Sequence, residues 1–262
     1  MSRAGMSISA VESAALGITA ATAAGLVGAF ALMKRTVLAG DVMSHIALPG
    51  LGLAVLWKLD PMLGGGLTLF AGILLIWRLG ETSPLATEAR IGVLFAASVA
   101  LGALLIHTNE DLVDALFGGL GRLTTPDFVV GMAASLFLLA MLWRLRHRLI
   151  LSLFSADLAA ATGVPVNRVN LWFLLLFGLA ILTSLRYLGA LLVGGLIIVP
   201  ASTARQLTQT LGAFLAASAL LAALAMAVGF AISGLYGLSL GPTVIVVAAA
   251  GFAVSLLKRT PQ

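Results

Sequence analysis

Thr36-Val-Leu-Ala-Gly-Asp41-Val-Met-Ser-His45-Ile-Ala-Leu-Pro49-Gly-Leu-Gly-Leu-Ala-Val-Leu-Trp57 decides the fold. As a helix these residues reach about 33 Å, enough to cross the hydrocarbon core of a bilayer. Only Asp41 and His45 in the stretch are ionisable. Working outward, apolar runs of similar length recur at 12–33, 62–79, 90–107, 127–143, 169–185, 188–203, 211–231 and 241–257, with 37–57 as the second of the series. The expected fold is an all-α polytopic bundle of eight to nine transmembrane spans in one domain covering residues 1–262. The short 188–203 run is the weakest of them.

Composition leads to the same place. Of the 262 residues, 61% are hydrophobic and 10% are charged, whereas a soluble domain is near a quarter charged. A chain this apolar has too few polar groups to cover a water-facing surface, so lipid is its solvent. The start, Met1–Ala15, is mildly polar and runs into a long apolar stretch, which reads as an uncleaved first span. Cysteine is absent, which excludes disulfides, thiolate metal sites and CxxC redox chemistry.

The net charge is +5, and its placement is informative. Basic residues sit at span ends, as in Lys34-Arg35, Arg144-Leu-Arg146-His-Arg148 and Lys258-Arg259. A nucleic-acid binder would spread them over a polar face. With the 34–35 turn in the cytoplasm, eleven Lys and Arg fall inside and four (Arg3, Lys58, Arg122 and Arg186) fall outside. The positive-inside rule therefore puts the N-terminus outside and the C-terminus in the cytoplasm.

Asp41 and His45 are spaced i, i+4, which places both on one helix face, a turn apart. A carboxylate and a neutral imidazole suit Mn²⁺, Fe²⁺ or Zn²⁺, and ionisable groups inside a span usually face a cavity or a partner. The competing reading has Asp41 at the polar interface near a helix start and His45 bonded to neighbouring backbone. Two ligands do not complete a metal site, so the rest would come from another span or a second copy. Pro49 is expected to kink this helix. Because imidazole must be neutral to bind, uptake through this pair is expected to weaken as falling pH protonates it.

Two segments between spans carry patterns of their own. The outer one holds His107, Glu110, Asp111 and Asp114, a weaker candidate for receiving a cation and otherwise an ordinary solvated loop. The inner one, 144–167, is basic first and then reads Ser155-Ala-Asp157-Leu-Ala-Ala160-Ala-Thr-Gly163-Val-Pro165. Ser155 or Asp157 would cap a short helix there, and Gly163 and Pro165 would stop it. Catalytic motifs are missing. Lysine occurs only at 34, 58 and 258, and none follows a Gly-x-x-x-x-Gly run, so the chain has no phosphate loop. Any ATP that drives it is hydrolysed by another chain.

The motif Gly40-Asp41-x-x-Ser44-His45-x-x-Leu48-Pro49-Gly50 resembles the signature of the permease subunits of zinc/manganese/iron ABC transporters. The likeness continues in order through Asp111-Leu112-x-x-x-Leu116-Phe117-Gly118 and Asp157-Leu158-Ala159-x-x-x-Gly163-Val164. It runs on through Arg186–Val193 and Leu196–Arg205 to Gly241-Pro242-Thr243. The resemblance implies a homodimeric or pseudo-dimeric permease in the bacterial inner membrane, working with a cytoplasmic ABC ATPase pair and an extracytoplasmic metal-binding protein. It also implies that Asp41 and His45 line the metal path near the dimer axis, and that Ser155, Asp157, Ala160 and Gly163 belong to a coupling helix seated in the ATPase. No cofactor is held permanently, the divalent metal being cargo. Two positions depart from the family pattern, Gly119 after Leu-Phe-Gly and Gly237 after Tyr236, and both remove negative charge on the outer side.

Two other functions compete with this one. A self-sufficient secondary transporter or channel would show inverted repeats and several carboxylates within spans, whereas here only Asp41 falls within a span. A permease for a bulky organic ligand would have a wide cavity with few fixed charges. The Asp41–His45 pair weighs against it.

Overall fold

The computed structural model describes residues 9–34, 36–82, 87–105, 124–190 and 192–257. The chain is a helical bundle of α1 (Ala10–Met33), α2 (Val37–Ile46), α3 (Leu48–Leu56), α4 (Pro61–Thr82), α5 (Thr87–Leu105), α6 (Thr125–Phe154), α7 (Ala156–Ala161), α8 (Val166–Leu188), α9 (Val193–Leu207), α10 (Leu211–Tyr236) and α11 (Leu240–Leu257). Helices α2 and α3 together make one broken apolar element, Val42–Leu56, and α5 contributes another, Ile91–Leu105. Six helices, α1, α4, α6, α8, α10 and α11, are long and apolar enough to cross a membrane by themselves. The eight-to-nine-span reading of the sequence is roughly consistent with these helices, with changed boundaries.

Two contacts fix how the ends line up. Lys34, just past α1, donates a hydrogen bond to Asn170 in the first turns of α8. Trp77, late in α4, donates through Nε1 to Asn167 Oδ1 at 2.9 Å. The end of α1, the end of α4 and the start of α8 therefore meet on one side. On the opposite side Arg186, at the end of α8, pairs with Asp127 in the first turn of α6 at 3.0 Å. Asp127 also accepts from the Thr124 amide and hydroxyl, at 2.9 and 2.6 Å, closing a capping box. The chain runs up and down between these two sides, as the charge pattern requires.

Burial separates a central group from a lipid-facing one. The α1 span is 67% buried and that of α6 only 22%. Large side chains on the outer helices, such as Phe137, Trp143, Leu220 and Leu224, are exposed, as expected where lipid tails are the solvent. Helix α9 is short, about 22 Å for its 15 residues. It packs against α1, α2, α10 and α11, so protein covers it and it need not span the full hydrocarbon thickness. Small residues permit this packing. A Cβ at Gly28 would lie 2.0 Å from the Ile197 carbonyl oxygen, so α1 and α9 touch backbone to backbone there.

Three boundaries differ from the sequence reading. The second span is two helices, because Pro49 has no N–H for the carbonyl one turn back and its ring crowds that turn. The second half resumes with Leu51 N–H to the Ala47 carbonyl at 3.0 Å. Helix α6 continues through the basic stretch to Phe154, 30 residues or about 45 Å, so Arg144–Arg148 lie on a helix that overshoots the bilayer. The 188–203 span shifts to 193–207, because Gly189, with φ of 69°, ends α8 and opens the turn.

Candidate functional site

Helix α2 runs unbroken from Val37 to Ile46, so its backbone places Asp41 and His45 on one face, a turn apart. The side chain of Asp41 lies outside the described residues. His45 is buried, with 9% of its surface exposed. Its ring meets Phe95 of α5 edge-on, with centroids 5.3 Å apart and planes at 72°. Ser44 points elsewhere, its hydroxyl donating to the Ala190 carbonyl at 2.5 Å in the turn between α8 and α9. Met43 is fully buried. Helix α2 is thus held on two sides, by α5 through His45 and by the α8–α9 turn through Ser44.

The break at Ala47 sits directly after this pair. Beyond it α3 crosses α4 at glycines. A Cβ on Gly50 would fall 2.0 Å from the Gly64 oxygen, and one on Gly64 would fall 2.2 Å from the Gly50 oxygen. This mutual close approach pins α3, the outer half of the broken span, against α4. Among the described residues no group of three or more His, Asp or Glu comes together to hold a metal ion. His107, Asp111 and Asp114 lie outside the described residues, as do Glu110 and Gly119. Gly237 caps α10 in the left-handed conformation, φ 65°.

On the inner side α7 forms where the sequence placed a short helix. Ser155 is its N-cap, its hydroxyl accepting from the Leu158 amide at 3.1 Å. Asp157 falls in the first turn, where a carboxylate complements the helix dipole. The other end closes with the Gly163 amide on the Ala160 carbonyl (3.0 Å) and the Val164 amide on the Ala159 carbonyl (2.9 Å). That pair of bonds requires a left-handed residue between them, and Gly163 supplies it with φ of 79°. Ala159 faces inward, fully buried, while Leu158 is 54% exposed. A six-residue helix is too short to hold itself, so the two caps and the Ala159 contact define it, and Leu158 stands out as an apolar knob.

Lys34, Asn167 and Asn170 drew no functional reading from the sequence beyond Lys34's place among the basic span ends. In the fold they converge. The Lys34 ammonium also lies 4.8 Å from the centre of the Phe173 ring. Burial pulls this amine, one residue beyond its span, down to about 8. The available signal was the Asn167–Asn170 pair, two amides spaced i, i+3 at the start of a helix that is apolar from Leu171 to Ile181.

Comparison with known proteins fits this geometry. Residues 8–259 match the ABC 3 transport family. The chain is a member of that family. It is similar to the manganese transport system membrane protein MntC of Halalkalibacterium halodurans, 30% identical over 91% of this chain and 83% of that one. It is also similar to the high-affinity zinc uptake system membrane protein ZnuB of Haemophilus influenzae, 28% identical over 88% of this chain and 90% of that one. Among solved structures, PsaBC from Streptococcus pneumoniae in complex with Fab superposes with a TM-score of 0.82 at 26% identity, covering 94% of this chain and 90% of that one. This family member is thus a multi-pass membrane chain whose relatives include manganese and zinc transport membrane proteins.

Proposed function

We propose that the chain is the membrane-spanning permease subunit of an ATP-binding-cassette importer for divalent transition metal ions, seated in the bacterial inner membrane. The observation that carries this reading is the buried His45, one turn from Asp41, on a helix broken immediately afterwards by Pro49. Asp41 supplies a hard anionic ligand and His45 a borderline nitrogen, a set that accepts Mn²⁺, Zn²⁺ or Fe²⁺. The names of the relatives favour manganese or zinc. Two ligands do not complete a metal site, so the remaining ones come from another span or from a second permease copy across a dimer axis.

The proposed mechanism is alternating access. An extracytoplasmic metal-binding protein delivers the ion on the outer side, and the broken second span changes its bend around the Ala47 break. A cytoplasmic ATPase dimer drives that change through α7, with Leu158 as the contact and Ser155, Asp157, Ala160 and Gly163 shaping the helix. The chain catalyses no reaction itself.

The test is metal accumulation, by elemental analysis, in cells whose only importer is this system, grown under Mn, Zn or Fe limitation. Asp41→Ala and His45→Ala are expected to abolish accumulation of one metal while the chain still reaches the membrane. Unchanged accumulation in both variants refutes the site. Metal flux through the purified chain in vesicles, without ATP or a partner, refutes the ABC assignment and favours the secondary transporter.

A further inference from the structure

A cavity of about 580 Å³ opens at the inner side of the bundle, and its chemistry differs from that of a metal path. It lies between the ends of α1 and α4, the start of α8, and α2 and α5. Lys34, Thr36, Trp77, Ser152, Asn167 and Asn170 line it near the inner membrane–water boundary. Met43, Leu174 and Phe177 line it farther into the bilayer. From Val166 to Phe177 it follows α8 for about 16 Å. Polar lining at the boundary grades into apolar lining below it.

Among the described lining residues the charge in this space is positive. Lys34 supplies an ammonium with three donors, one of them engaged by Asn170. No carboxylate is among the described lining residues. Among the described lining residues a divalent cation would meet repulsion from Lys34 and find only amide and hydroxyl oxygens, so they make a poor exit for metal. An anion with an apolar tail meets the reverse: a half-buried ammonium, amide and hydroxyl groups at the boundary, and a slot walled by Phe173 and Phe177, which stack at 5.8 Å. Phosphate-bearing headgroups are the anions found at this depth on the inner side of a membrane.

We propose that this cavity is a binding site for an anionic phospholipid of the inner leaflet, its phosphate held by Lys34 and the Asn167–Asn170 end and its upper acyl chain lying along Phe173 and Phe177. Its position gives the lipid leverage on transport. Thr36 and Met43 belong to the approach and body of α2, while Ser152 and Val166 flank the two roots of α7. A lipid seated here touches the helix carrying Asp41 and His45 and both supports of the cytoplasmic helix at once. The site does not depend on which metal, if any, the chain carries.

The experiment reads Trp77, one of four tryptophans, in the full-length chain with Trp57, Trp143 and Trp172 replaced by phenylalanine. Quenching is followed with brominated phosphatidylglycerol, brominated phosphatidylcholine and Mn²⁺, and inorganic phosphate is added as a competitor. Saturable quenching by phosphatidylglycerol at least about fivefold tighter than by phosphatidylcholine is expected, a basic group near the membrane surface contributing about that factor. Lys34→Met should abolish the preference and Lys34→Arg should keep it. Asn170→Asp, which pairs the ammonium internally with hardly any change of shape, should also abolish it. Helicity and elution volume check that each variant folds. Equal quenching by the two lipids, or a preference that survives both Lys34→Met and Asn170→Asp, overturns the proposal. Protection by inorganic phosphate without lipid quenching overturns the lipid assignment in favour of a soluble phosphate. Saturable Mn²⁺ quenching without a lipid preference overturns it in favour of a metal exit.

Discussion

Gly163 offers the sharpest test of how α7 is made, because its side-chain space and its backbone angle can be separated. Its φ is 79°, and a Cβ built on it meets nothing within 4 Å among the described residues. Replacing it therefore clashes with nothing among the described residues, and the cost there is conformational. For an L-residue the left-handed region costs about 1–2 kcal/mol, a factor of about 5–30 in a local equilibrium. Six residues held by Ser155 at one end and by the Gly163 turn at the other have little reserve. The capped form of α7 should lose that factor in Gly163→Ala and more in Gly163→Val, where the β-branch resists positive φ. Asn tolerates this region better than other non-glycine residues, so Gly163→Asn should lie closest to the parent. The assay is metal uptake per chain in the membrane, in cells lacking other importers. The expected order is Gly, then Asn, Ala and Val, with equal amounts of chain inserted. Parent-level uptake in all three variants would show that the left-handed turn is not required. An order that follows bulk, with Asn below Ala, would show that the side chain collides with a docked partner and that φ is not the cause.

Three further outcomes follow from the packing. Gly28→Ala places a Cβ 2.0 Å from the Ile197 oxygen, so α1 and α9 must part and the thermal midpoint in detergent should fall by several degrees, whereas Gly212→Ala, with nothing within 4 Å, should leave it unchanged. Ser44→Ala removes the bond to the Ala190 carbonyl and should cost about 1 kcal/mol, read as a lower midpoint together with reduced uptake, since α2 loses one of its two holds. Asp127→Asn breaks the ion pair to Arg186, whose groups are about a quarter exposed, so its thermal effect should stay within about 1 kcal/mol and shrink with added salt.

The sequence by itself determined the solvent and a polytopic helical fold of eight to nine expected spans, and it singled out the Asp41–His45 pair as candidate metal ligands. Apolar run length against bilayer thickness, and the cost of charge within it, are local quantities that need no knowledge of neighbours. The i, i+4 spacing of Asp41 and His45 and the Ser155 and Gly163 ends of α7 are equally local, and α2 and α7 carry them as read. Tertiary structure alone decided the rest. The apolar patterns of α1, α6 and α9 look alike in sequence, yet α9 and α1 are central and α6 faces lipid. In a membrane both the core and the outside are apolar, so hydrophobicity cannot rank them, and close contacts such as Gly28 against Ile197 do so instead. The meeting of Lys34 with Asn170, 136 positions away, and of Arg186 with Asp127, 59 away, depends on which helices become neighbours. That choice rests on backbone approach at small residues across the whole bundle, and no single segment of the chain encodes it.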